Sequence, residues 1–114
     1  MVTPERFEEL VVEAVEGLPA WVRERLDNVE ILVEDGTPPG RAGLLGLYEG
    51  IPLTQRGANY FGVLPDRITL FRANLERLAP DEAALRSLVR HTVVHEVAHF
   101  FGISDERLVE MDRY

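Results

Sequence analysis

His91-Thr92-Val93-Val94-His95-Glu96-Val97-Ala98-His99-Phe100-Phe101-Gly102-Ile103-Ser104-Asp105 is the stretch on which the reading of this chain turns. On an α-helix, residues four apart lie one above the other, so His95 and His99 project from one face and can share a metal ion. Glu96 follows His95 directly, about 100° round the helix, and borders that ion without having to bind it. Two neutral imidazoles as ligands and a carboxylate placed to take a proton from metal-bound water are what H-E-x-x-H supplies. Catalytic zinc generally takes three protein ligands and leaves a fourth position open, so a further ligand is needed.

Gly102 provides the route to it. Just past the second histidine, it can take the left-handed conformation that ends a helix and turns the chain back toward the metal. Asp105, three residues on, offers a carboxylate oxygen. The pattern is H-E-x-x-H-x-x-G-x-x-D, with a mechanical reason at each specified position. Each residue also has a plainer use: packed core histidines, a solvated Glu96, and Asp105 as the N-cap of a last short helix, in competition with Ser104. Their joint spacing favours the metal. His91 stands apart, because a straight helix rises about 12 Å from His91 to His99. Bonds of about 2.0–2.1 Å cannot close that span, which makes His91 a structural or supporting residue.

The segment from His91 to Leu108 resembles the extended motif of the zincin metallopeptidases, and in particular a family of very short bacterial zincin-like metallopeptidases, the minimal zincins. The likeness extends over Leu26 to Gly36, Leu45 to Thr54 and Pro65 to Arg72. It implies His95, His99 and Asp105 as ligands of one zinc ion per chain and Glu96 as general base. It also makes the region from Leu44 to Gly57 the candidate edge for receiving an extended substrate, where the residues alone equally suit an ordinary edge strand. The chain differs from the larger metzincins in carrying Asp105 where they have a histidine and in ending nine residues later. Met111 is expected in the core rather than beneath the metal.

Composition bounds the rest. A length of 114 residues suits one domain, 1–114, with a single core. Without cysteine there is neither disulfide nor thiolate ligand. A formal charge of −8 opposes non-specific nucleic-acid binding. No run approaches a membrane span and the N-terminus lacks a leader pattern, so a cytoplasmic location is expected, with no nucleic-acid or membrane partner.

Along the chain, Thr3 and Pro4 open a helix whose stripe is Phe7, Leu10, Val11, Ala14, Val15 and Leu18, and Gly17 and Pro19 close it. A shorter turn is expected over Ala20 to Leu26, with Trp21 as a core anchor. Strands are expected over Val29 to Glu34, Leu44 to Tyr48 and Arg67 to Phe71, the last introduced by Asn59 to Gly62. Asp35 to Gly40 is a surface loop. A long helix from Pro80 to Phe101 carries the motif, and its nearly all-apolar second half predicts full burial and a covered metal site. A short helix over Asp105 to Met111 closes the chain. Tyr48 and Tyr60 are expected to be structural.

The expected architecture is α+β: a small mixed sheet of about three strands on a central H-E-x-x-H helix, completed by N-terminal helices. The expected function is zinc-dependent peptide hydrolysis with Glu96 as general base and no covalent intermediate. The alternatives are a catalytically idle metal-binding or protein-interaction module, a zinc-assisted nuclease, which the acidic charge opposes, and another divalent ion such as non-haem iron.

Overall fold

The computed structural model describes residues 2–57 and 64–110. Along these the elements run in the order α1 (Pro4–Glu16), α2 (Ala20–Arg25), β1 (Val29–Glu34), β2 (Gly46–Glu49), a 3-10 turn (Leu53–Gln55), β3 (Asp66–Phe71), α3 (Arg72–Leu78), α4 (Glu82–Phe100) and α5 (Asp105–Glu110). The sheet has the order β1-β3-β2, with β1 parallel and β2 antiparallel to β3. The expected mixed three-stranded sheet on a central helix is the one found. Tyr60, Met111 and the Asn59–Gly62 lead-in lie outside the described residues.

Position in the sheet follows from sequence. β3 is flanked on both sides, and Ile68, Thr69, Leu70 and Phe71 are all buried. β1, with a neighbour on one side only, alternates between half-buried Val29, Ile31 and Val33 and exposed Glu30, Leu32 and Glu34. α1 lays Phe7, Leu10, Val11 and Ala14 against α4, whose Leu85, Val89, Val93, Val97 and Phe100 form the middle of the core. Thr3 caps α1 by accepting from the Arg6 N–H at 3.0 Å. Asp81 caps α4 through the Ala84 N–H at 2.8 Å, so this helix starts two residues later than expected.

Three expectations are corrected. α3 has no counterpart in the sequence reading, because β3 runs straight into it without glycine, proline or a side-chain cap. It is fastened from outside, by the Ala73 N–H on the Asp35 carbonyl at 3.0 Å and the Arg72 guanidinium on the Asp35 carboxylate at 2.8 Å. Trp21 is not a core anchor: it is 61% exposed, one edge against Phe101 at a centroid distance of 5.7 Å. The second half of α4 is not covered all round either. Val94 is exposed, as is His91.

Among the described residues no helix is long and apolar enough to cross a membrane. The α1–α4 contact carries a surface ion-pair set, Arg6 to Glu82 at 3.1 Å and Arg86 to Glu13 at 3.1 Å. The hydrogen bond from Arg6 holds the Glu82 carboxyl below its ordinary value. Lowering favours the charged form in the folded chain, so this contribution is present above the unfolded pKa and is lost as pH falls through the folded one. Arg6→Ala is therefore expected to flatten the acid limb of a stability-against-pH curve, measured by urea melts from pH 7 down to pH 3. An unchanged limb would remove the pair from the acid response.

Candidate metal centre

α4 sets His95 and His99 one turn apart, their rings tilted 40° with centroids 4.8 Å apart. The helix ends at Phe100 with Phe101 as its C-cap, and Gly102 takes φ +90°, the left-handed turn expected of it. Its N–H returns to the His99 carbonyl at 2.9 Å, and the Ile103 N–H to that of Ala98 at 2.9 Å. A side chain at Gly102 would overlap the Thr54 side chain, so this position needs both the conformation and the space. Ser104 then accepts from the Arg107 N–H at 3.2 Å and so caps α5, which settles its competition with Asp105. Relieved of that duty, the Asp105 carboxylate swings to the histidines.

The three side chains meet at a point. His99 Nε2 lies 3.0 Å from His95 Nε2 and 2.9 Å from Asp105 Oδ1, and His95 Nε2 lies 2.9 Å from the same oxygen. Hydrogen bonds cannot account for all three contacts. If both imidazoles donate to the carboxylate, their N–H groups oppose each other; if one imidazole accepts from the other, its lone pair faces the carboxylate's. A cation among the three atoms satisfies every lone pair at once. Tetrahedral bonds of about 2.0–2.1 Å set donors about 3.3 Å apart, close to the observed triangle. The donor set therefore fits a divalent metal and suits zinc.

Burial divides the cluster. The side chains of His95 and His99 are 18% and 28% exposed and that of Asp105 is 62% exposed, so the centre is more open than the apolar helix suggested. Burial, then the neighbouring His99, depresses the His95 pKa, which keeps the imidazole neutral with a lone pair to give. Glu96 is the covered member, 7% exposed. Burial pushes its carboxyl above the ordinary value, while a hydrogen bond from the Tyr48 backbone pulls the other way. It lies outside the donor triangle, and His91 is likewise excluded from it.

Two features escaped the sequence reading. Gly46 lets β2 approach α4: a Cβ there would lie 2.8 Å from Thr92 Cγ2 and 3.1 Å from Glu96 Cγ. The signal was present, since glycine inside a strand pattern marks close backbone approach. Gly46→Ala is expected to cost about 1–3 kcal/mol through overpacking. Thr92→Ser deletes the offending methyl but keeps the hydroxyl that donates to the Leu88 carbonyl at 2.8 Å, so the double variant should recover most of that loss. Urea titration of the four proteins checks this, and a strictly additive double variant would refute the contact as the cause.

The second feature is Asp66, 3% exposed at the start of β3. It accepts from the Tyr48 hydroxyl at 2.6 Å and from Arg56 Nη2 at 2.6 Å, while Arg56 Nε donates to the Ile51 carbonyl at 2.8 Å. Arg56 also lies over the Phe100 ring, 5.4 Å from its centroid. Tyr48 is thus a structural tyrosine, as expected, and the loop 51–56 is tied down beside Gly102.

Comparison with known proteins follows the same lines. No curated protein matches the chain. Among solved structures it is similar to a conserved hypothetical protein from Thermus thermophilus, with 29% identity, a TM-score of 0.61, and 96% of this chain and 100% of that one covered. A family model for zincin-like metallopeptidases matches residues 26–114, which takes in the whole sheet and the donor cluster. By that match, over most of its length, the chain belongs to the zincin-like metallopeptidase family.

Proposed function

We propose that the protein is a zinc-dependent peptidase in which His95, His99 and Asp105 hold one metal ion and Glu96 is the general base. The observation that carries this reading is the three-way contact of His95, His99 and Asp105, with a buried carboxylate on the adjoining residue. When bound there, zinc supplies Lewis acidity to a carbonyl oxygen and to water, bringing the water pKa to about 7.

The chain's own residues do the rest. The carboxylate of Glu96 removes a proton from the attacking water as its oxygen bonds to the carbonyl carbon. Glu96 then hands that proton to the amine nitrogen as the C–N bond breaks. Gly46 and the Tyr48 backbone keep the carboxylate in one orientation, so it need not be organised during the reaction. Asp105 balances one charge of the ion and leaves the open side of the cluster to the substrate.

The test is a peptide library offered to zinc-loaded chain, to chelated chain and to chelated chain resupplied with zinc. Cleavage that disappears with the metal and returns with it supports the reading. Stoichiometric zinc with no cleavage of any member would reduce the protein to a metal-binding module.

A further inference from the structure

A cleft of about 330 Å³ opens directly from the donor cluster. One wall is Pro52 and Gln55 of the 51–56 loop; another is the turn from Gly102 to Glu106, and both His99 and Asp105 face it. Ligand pockets run from about 300 to 1,000 Å³, so this one admits one or two residues of an extended peptide rather than a folded surface. Its first wall is fixed rather than loose. The loop is pinned through Arg56 to buried Asp66 and to its own Ile51 carbonyl, and Thr54 fills the space over Gly102. A pocket shaped before binding spends little on ordering.

Among the described residues its lining is acidic, through Asp105 and Glu106. The Glu106 side chain lines the cleft with no hydrogen bond or ion pair to any described residue, and the Gln55 side chain across from it is likewise unengaged among them, its backbone N–H going to the Pro52 carbonyl. Among the described residues no arginine lines the cleft, and the nearby Arg56 is committed to Asp66. Asp105 belongs to the donor set and Glu106 does not, so Glu106 is the lining carboxylate left to meet the substrate. The chain as a whole, at −8, carries the same sign.

We infer that the cleft selects peptides carrying a cationic group next to the scissile bond, with Glu106 as the specificity-determining residue and Gln55 as an accessory acceptor. The inference rests on the peptidase reading and names its substrate class. The group is an ammonium or guanidinium, supplied by a lysine or arginine side chain or by a free α-amine. Glu106 acts on which substrate binds, not on the proton transfers, which belong to Glu96.

The experiment uses the zinc-loaded Glu96→Gln chain, so that peptides bind without turning over. N-acetylated tripeptide amides with lysine, leucine or glutamate in the middle are titrated by calorimetry, and each is repeated with a free α-amine. The lysine peptide is expected to bind about three- to tenfold tighter than the leucine peptide, and the glutamate peptide more weakly than either. The advantage should shrink with added salt. Adding Glu106→Gln should bring the blocked peptides within about twofold of one another at unchanged zinc content. If the free amine alone raises affinity, and Glu106→Gln removes that gain, the cation comes from the peptide terminus. A charge preference that survives Glu106→Gln, or peptides that bind without preference, overturns the inference and leaves the peptidase reading standing. Failure of every peptide to bind zinc-loaded protein overturns both.

Discussion

Glu96→Gln is expected to lower peptide turnover about 10²–10⁴-fold while one zinc remains bound per chain. The substitution removes the proton acceptor and very little else. Glutamine keeps the size of the side chain that passes Gly46, and its amide oxygen still accepts from the Tyr48 backbone. Glu96 is outside the donor triangle, so affinity for the metal has no reason to fall. Replacing a buried carboxyl that sits above its usual pKa by a neutral amide also relieves a desolvation cost, so the variant should fold at least as well as the parent. Turnover and elemental analysis on the same preparation check both halves. Hydrolysis at the parental rate would end the assignment of Glu96 as base.

Asp105→Ala is the second large effect, and it separates a metal ligand from a packing residue. Loss of a partner that merely orients a ligand costs about 10–100-fold in metal affinity, and loss of the ligand itself should cost more than that. The metal-free protein, by contrast, should melt within a degree or two of its parent. Asp105 is largely solvent-exposed, and the cap of α5 belongs to Ser104. Removing the carboxylate also frees the two imidazoles from a contact they cannot both satisfy. Competition titration against a chromophoric zinc chelator gives the affinity, and calorimetry of the apo protein gives the melting temperature. Undiminished zinc affinity, or a collapse of the apo protein, would make Asp105 a structural residue.

The parts of this molecule that could be read from the chain are those whose geometry is local. His95 and His99 share a face because a helix has about 3.6 residues per turn, and Gly102 turns the chain because only glycine takes φ +90° without strain. Even the rivalry of Ser104 and Asp105 for the α5 cap was legible, though not its outcome, which depends on where the histidines wait. What was lost depends on partners distant in sequence. α3 is announced by no punctuation and is secured by Asp35, 37 residues before Arg72. Trp21 reads as a core residue from its hydrophobicity alone, and only the packed structure shows that the core closes without it. Asp66 looks like the polar start of a strand; nothing in its neighbourhood says that Tyr48 and Arg56 will converge on it.

The convergence on Asp66 bears on how a change away from the metal can reach the cleft. Arg56 and Asp66 are ten residues apart in sequence, yet their side chains meet at 2.6 Å, so the 51–56 loop is tied directly to the start of β3. The cleft wall on one flank and β3 on the other are held together by this ion pair, and the Tyr48 hydroxyl adds β2 to the same carboxylate. Asp66 is accordingly a position from which one substitution can loosen the cleft wall while the metal ligands keep their own supports on α4 and at the Gly102 turn.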